Sequence, residues 1–155
     1  MHANVCGGGG LGGVPPQYTD EENTAVCNLA SLVLTGFVGS DGTIDYELLA
    51  RAVRRVVRNL NNVIDRNFYP TDEARRSNMR VRPVGIGMQG FQDVLFKLEM
   101  PFDSDEARKL NREVRTCARG NSSDATKAGL RHPPRVTRAV CVVCLNAPEK
   151  VRFKP

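Results

Sequence analysis

The strongest hydrophobic pattern in the chain lies between Tyr46 and Asn67. Apolar residues recur there at steps of three and four and form one helical face: Leu48, Leu49, Val53, Val56, Val57, Leu60, Val63 and Ile64. The opposite side carries the arginines Arg51, Arg54, Arg55 and Arg58. Asp45 is a suitable N-cap, and Pro70 stops the pattern. We therefore predict a long helix over residues 46–67.

The remaining elements alternate between strand and helix. In chain order we predict a buried strand over 25–34 that turns helical toward its end, a short helix from Thr71, a strand over 81–88, a short helix over 91–99, and a final helix capped by Ser104 that ends near Arg119. Strands alternating with helices predict an α/β architecture.

Both ends of the chain depart from this pattern. Residues 1–19 are rich in glycine and proline, which predicts disorder. Beyond Arg115 the periodicity dissolves at Gly120 and at His132-Pro-Pro, and one apolar patch, 139–145, stands alone. We therefore predict a body over 20–116 and a disordered tail over 117–155.

Charge follows the same division. Residues 1–111 carry 12 Lys and Arg against 14 Asp and Glu, whereas residues 112–155 carry 10 against 3. A basic tail on a near-neutral body is typical of a solvated extension or of one that attracts nucleic acid. One hypothesis is therefore a non-enzymatic helical binding protein whose basic tail contacts nucleic acid or an acidic partner. The arginine stripe favours a solvated surface over a phosphate site, because no aromatic residues are interleaved to stack bases.

The start of the chain lacks a basic region followed by an apolar run, so no secretory signal is expected. The longest apolar run, Leu29 to Val38, is shorter than the roughly 20 residues that cross a bilayer. We expect a cytoplasmic, reducing setting without membrane association. There, the five cysteines would be free thiols, metal ligands or catalytic groups.

Two short motifs have competing interpretations. Gly85-Ile-Gly-Met-Gln-Gly90 fits the dinucleotide pattern G-x-G-x-x-G, but no second strand is predicted after its helix, so we reject that interpretation. Cys141 and Cys144 form a C-x-x-C pair that fits two small buried residues. Zinc would need two further ligands, for which Cys117 and His132 are available at a spacing unlike common zinc modules.

Three segments carry a specific resemblance: Thr24-Ala-Val-Cys-Asn-Leu-Ala-Ser31, Val56-Val-Arg-Asn-Leu-Asn61 and Arg82-Pro-Val-Gly-Ile-Gly-Met-Gln-Gly90. Their order and spacing resemble the catalytic barrel of the large subunit of class I ribonucleotide reductase, from about Thr24 to about Val114. The resemblance implies a fragment of a ten-stranded α/β barrel. It also implies reduction of ribonucleoside diphosphates to deoxyribonucleotides.

The resemblance assigns roles to three residues. Cys27 would be one of two redox thiols that reduce the ribose, with its partner thiol in an upstream region that this chain lacks. Asn4 and Cys6 would match the Asn-x-Cys-x-Glu motif of the radical cysteine, although Gly8 stands in place of the glutamate. That replacement removes a proton-transfer group. By type, Cys141 and Cys144 resemble the electron-passing pair on the family's C-terminal tail, in different surroundings.

The resemblance also implies partners. These are a radical-generating small subunit, thioredoxin or glutaredoxin as electron donor, and a second large subunit. The chain would bind no cofactor or metal directly, the radical cofactor belonging to the small subunit and ATP or dATP acting as effectors. Because the family's nucleotide-site segments have no counterpart here, we expect the isolated chain to be inactive. It would be a truncated product, or a gene model whose reading frame departs near Arg115.

Overall fold

The computed structural model describes residues 19–128 and 139–144. Its elements, in chain order, are strand β1 (Asn28–Val33), a 3₁₀ turn (Leu34–Phe37), helices α1 (Tyr46–Arg66) and α2 (Asp72–Val81), strand β2 (Pro83–Gln89), helices α3 (Phe91–Lys97) and α4 (Asp105–Ala128), and strand β3 (Ala139–Cys144). The predicted α/β class is confirmed.

The strands form one parallel sheet in the order β1-β2-β3. Asn28 lies opposite Val84, and Pro83 lies opposite Ala139. Helix α1 packs against β1, β2 and α4, so the core lies between α1 and one face of the sheet. Over the described residues this is an open sheet of three strands and not a closed barrel.

The predicted caps Asp45 and Ser104 are confirmed, and Thr71, which we predicted only as the start of a helix, is a third cap. Each supplies an acceptor to a backbone amide that has no partner within the helix. Asp45 accepts from the amide of Leu48 at 2.8 Å. Thr71 accepts from Ala74 at 3.3 Å, and Ser104 accepts from Ala107 at 3.0 Å. The apolar stripe of α1 is also confirmed in its centre, where Leu49, Val53, Val57 and Ile64 are fully buried.

The C-terminal predictions were wrong in two places. Helix α4 does not end near Arg119 but continues to Ala128, and residues 139–144 form β3 within the span predicted as a disordered tail. Strand β3 also removes the stated ground for rejecting a dinucleotide fold, because a second parallel strand does follow β2. It comes only after two helices, far beyond the spacing of about 20 residues that the dinucleotide motif needs.

Smaller differences concern element ends. Val81 belongs to α2 and not to the strand, α3 ends at Lys97 and not Glu99, and Leu48 and Val63 on the edges of the α1 stripe are exposed. The predicted turn from strand to helix after β1 is confirmed as the 3₁₀ turn. The predicted disorder of residues 1–19 falls, except for Thr19, outside the described residues.

Candidate redox site around Cys27

Cys27 lies immediately before β1, where the chain enters the sheet. It is a half-buried thiol, and its Sγ donates a weak hydrogen bond to the carbonyl oxygen of Asn28 at 3.8 Å. A thiol in this place is close to a sheet and still accessible to another group. Access of a second sulfur to the thiol is one requirement of thiol–disulfide exchange.

The two faces of β1 differ in what they contact. Asn28, Ala30 and Leu32 point toward the helical side, whereas the alternate residues are exposed, with 74% of Leu29 and 53% of Val33 accessible. Because side chains alternate along an extended chain, Cys27 falls on the same side as Leu29. The thiol therefore lies beside the exposed face of β1, which carries Leu29, Ser31 and Val33 and which we call the open face. The β2 residues on the same side, Pro83 and Gly85, are buried.

The β2 residues on this side of the sheet include two glycines, which have no side chains to cover the neighbouring residues of β1. Gly85 and Gly87 lie opposite Leu29 and Ser31 in the parallel register. A Cβ atom added at Gly87 would lie 3.0 Å from Ser31 Oγ, closer than most such contacts. Glycine at this position leaves room for the Ser31 hydroxyl group on the open face.

Helix α2 holds the segment that precedes Cys27. The Thr24 amide donates to the carbonyl of Glu73 at 3.3 Å, and the Arg76 guanidinium donates to the carbonyl of Glu22. The Asn28 side chain donates to Asn78 Oδ1 at 3.4 Å. The chain on both sides of the thiol is thus bound to one helix.

Arg82 is a structural residue that sequence reasoning missed. Its guanidinium is buried and forms a bidentate ion pair with Asp65, at 2.7 and 2.9 Å. It also donates to the carbonyl oxygen of Asn61 at 3.0 Å. Arg82 thereby fastens the end of α2 to α1. The local sequence contains no signal for this, because the partners come from another helix.

The second described thiol, Cys117, has a different environment. It lies on α4, and its Sγ donates to the carbonyl oxygen of Tyr46 at 3.5 Å. Burial raises the pKa of the Cys117 thiol. The hydrogen bond with Asn121 and the positive charge of Arg54 lower this pKa by a smaller amount. A raised pKa disfavours the reactive thiolate, so Cys117 has the properties of a structural cysteine.

The other candidate residues are not tested by this arrangement. Asn4 and Cys6 lie outside the described residues, as does His132. Of Cys141 and Cys144 only the strand position is described, opposite Gly85 and Met88. Within residues 19–128 and 139–144, no group of three or more His, Cys, Asp or Glu could hold a metal ion. No helix in that part of the chain is long and apolar enough to cross a membrane.

Comparison with known proteins gives a consistent result. Residues 15–125 match the family described as "Ribonucleotide reductase, barrel domain". Over 98 residues, 63% of the chain, it is 54% identical to the ribonucleoside-diphosphate reductase large subunit of Trypanosoma brucei brucei. Identity is 52% with the large chain from Encephalitozoon cuniculi and 46% with the large subunit from Danio rerio.

The match covers only a small part of these relatives. The aligned segment spans 12% of the length of the trypanosomal and fish proteins and 13% of the microsporidian one. The family match also extends beyond Val114 and Arg115, where we predicted that the resemblance ends, and it includes most of α4.

Proposed function

The chain belongs to the ribonucleotide reductase barrel-domain family, and from this membership we propose that it acts within ribonucleoside-diphosphate reduction. The proposed role of Cys27 is that of one of the two thiols that reduce the ribose. The observation that supports it best is the position of Cys27 beside the open face of β1 in a parallel sheet, within the matched segment. We further propose that this sheet is part of the family's ten-stranded barrel.

The chemistry assigned to Cys27 is a two-electron reduction. The C2′–O bond of the ribose breaks and the hydroxyl group leaves as water. Two thiols supply two electrons and two protons. One proton leaves with the hydroxyl group as water, the other ends in the new C2′–H bond, and an S–S bond forms between the two sulfurs. A thioredoxin or glutaredoxin then reduces that disulfide by thiol–disulfide exchange. The second thiol and the nucleotide-binding groups would come from segments outside this chain. Asn4 and Cys6 are the proposed matches to the radical site, with Gly8 in place of its glutamate.

The proposed partners follow from the same family membership. They are a ribonucleoside diphosphate as substrate, a radical-generating small subunit and a second large subunit. ATP and dATP would act as effectors, and the setting would be cytoplasmic. The alternative of a nucleic-acid-binding protein is not favoured, because it explains the basic tail and leaves the match over residues 15–125 without an account.

A chimera tests the role of Cys27. The upstream and downstream segments of a related full-length large subunit are joined to this chain, and reduction of ribonucleoside diphosphate is measured with a dithiol donor. Cys27→Ser should abolish turnover, because the disulfide can no longer form. Cys117→Ser is the matched control and should retain activity. Full activity of the Cys27→Ser chimera would refute the assignment.

The isolated 155-residue chain makes a second arm of this test. A dithiol reductant needs two sulfurs in bonding range, with Cα atoms about 4.4–6.8 Å apart. The partner thiol assigned to Cys27 lies outside this chain, so the isolated chain should reduce no ribonucleoside diphosphate with any donor. Measurable turnover by the isolated chain would contradict the proposal.

A further inference from the structure

Cys27 precedes the first residue of the sheet ladder, which begins at Asn28 opposite Val84. We propose that Asn78 is a positioning residue for the Cys27 thiol and acts through a hydrogen-bond relay of Tyr69, Asn78 and Asn28. This inference rests on the proposed redox role of Cys27. It adds a residue on α2 to the site, remote in sequence from the thiol and without contact to the open face.

The relay has a continuous donor and acceptor order. The Tyr69 hydroxyl donates to the carbonyl oxygen of Ile64 at 2.7 Å and accepts from Asn78 Nδ2 at 2.6 Å. Asn78 Oδ1 then accepts from Asn28 Nδ2 at 3.4 Å. Each group donates in the same direction, an arrangement in which successive bonds polarise and strengthen one another. The relay therefore connects the end of α1 to the first residue of β1.

Asn28, the last residue of the relay, contacts the Cys27 thiol directly. Asn28 is the next residue after Cys27, and its carbonyl oxygen accepts the hydrogen bond from Cys27 Sγ. A change in the backbone dihedral angles of Asn28 would therefore move this acceptor relative to the Cys27 thiol. By holding the Asn28 side chain on the helical side of the sheet, Asn78 keeps the Cys27 side chain on the open side.

The central residue of the relay, Asn78, is held in one position. Asn78 is buried, so losing a partner would leave a desolvated amide group, which disfavours alternative arrangements. The Arg82 amide donates to the carbonyl oxygen of Asn78 at 2.8 Å, and the Arg82 side chain binds Asp65 on α1. Asn78 is thus held at both its backbone and its side chain.

A positioning residue that is itself held in place is useful to a dithiol reductant. Formation of a disulfide requires a narrow range of Cα separations and a defined S–S geometry. A misplacement of about 1 Å by a residue remote from the chemistry can reduce a rate about 100-fold. A relay anchored in α1 and α2 would return Cys27 to the same place after each cycle of oxidation and reduction.

Alkylation of the native 155-residue chain tests the positioning without any need for turnover. The rates at which iodoacetamide modifies Cys27 and Cys117 are measured in the same sample by peptide mass spectrometry. The variants are Asn78→Ala, Asn28→Ala and Tyr69→Phe. Tyr69→Phe retains the ring and is the mildest of the three. Val94→Ala, a change at a fully buried residue of α3, which carries neither the relay nor Cys117, is the matched control.

A positioning role predicts that each relay variant raises the ratio of Cys27 to Cys117 modification about fivefold, the factor that one hydrogen bond contributes to a local opening equilibrium. Val94→Ala should leave this ratio unchanged. If Asn78→Ala does not fold, the other two relay variants decide the outcome. An unchanged ratio in Asn28→Ala and Tyr69→Phe would overturn the proposal.

The same substitutions in the full-length chimera separate this inference from the proposed function. Tyr69→Phe should lower kcat about tenfold with KM nearly unchanged, because the thiol and not substrate binding is displaced. If the alkylation ratio rises and the parental chimera has no reductase activity, the relay is supported and the proposed function fails. Unchanged kcat in an active Tyr69→Phe chimera would overturn the positioning role.

Discussion

At the residue scale, Arg82 explains how two helices that are adjacent in sequence become one unit. It occupies the C-cap of α2 with φ 51°, a left-handed conformation that glycine usually adopts at helix ends. An arginine there carries the steric cost of a Cβ atom. The compensation is its side chain, which reaches Asp65 and Asn61 on α1. The residue therefore ends one helix and binds another.

Neutralising Asp65 tests this link. The Arg82 side chain is 9% exposed, whereas the Asp65 side chain is 54% exposed. Asp65→Asn would leave a buried cation without its countercharge and should lower the free energy of unfolding by about 2 kcal/mol. The control Arg51→Gln removes an exposed pair with Glu47 and should cost only about 0.5 kcal/mol. Urea unfolding in dilute solution measures both, and equal costs would contradict the argument.

Tyr46 makes the stability sensitive to alkaline pH. Burial, together with its hydrogen bond to Glu113, raises the pKa of the Tyr46 hydroxyl well above its ordinary value. Above pH of about 10 the unfolded chain ionises this group while the folded chain keeps it protonated, so the folded state loses stability as pH rises. Below that pH the contribution is fully present.

Glu113→Gln should lower the pKa of Tyr46 toward the ordinary range, because the nearby negative charge is removed while burial remains. A spectrophotometric titration of tyrosinate measures this change, and Tyr46→Phe identifies which step of the titration belongs to Tyr46. The alkaline loss of stability should begin at the same pH in parent and variant, since it starts at the pKa of the unfolded state. An unchanged Tyr46 titration in the variant would disprove the role of Glu113.

At the element scale, the sequence predicted those features that depend only on residues close together in the chain. The stripe of α1, the caps Asp45 and Ser104 and the start of α2 at Thr71 follow from side-chain spacing and from amides near their own helix ends. The continuation of α4 could not be predicted in this way. Gly120 and Asn121 are weak helix formers, yet Ala118 and Ser122 are buried in the α4 packing, and this burial outweighs local propensity.

Non-local elements were missed for a related reason. Strand β3 forms by pairing with β2, and its short apolar run could not be distinguished from a buried helix by periodicity. The candidate site also contains one part that the sequence predicted and one part that it did not. Cys27 was identified from its neighbours in sequence, but Asn28 and Asn78 are 50 residues apart, and only the packing of α2 against the sheet brings them together.

Two adjacent leucines test the packing of α1. Leu49 is fully buried, whereas 37% of Leu48 is exposed, although both were predicted on one apolar face. Leu49→Ala should lower the free energy of unfolding by about 3 kcal/mol, because it removes buried contacts and leaves a cavity. Leu48→Ala makes the same change in helix propensity at an exposed position and should cost less than about 1 kcal/mol. Similar urea midpoints for the two variants would contradict this packing.

At the scale of the whole molecule, the described part of the chain is an incompletely covered α/β unit. Parallel sheets in proteins are normally covered on both faces. Here α1 covers one face, while Leu29 and Val33 are exposed on the other and β1 lies at the edge of the described sheet. The family membership supplies a reason, since a segment of a barrel leaves to its neighbours the contacts that would complete the sheet.

We therefore expect the purified chain to associate as its concentration rises, or to unfold over a broad range, because an exposed strand edge and apolar face favour contact between copies. Light scattering after size-exclusion chromatography over a concentration series measures the association. Leu29→Lys places a charge on the open face and should raise the concentration at which association begins. Phe68→Lys adds the same charge at another largely exposed apolar residue, after α1, and should have little effect. The expectation fails if the parental chain is a monodisperse monomer with a sharp, cooperative melt. Equal effects of the two lysine substitutions would show that net charge, and not the open face, controls association.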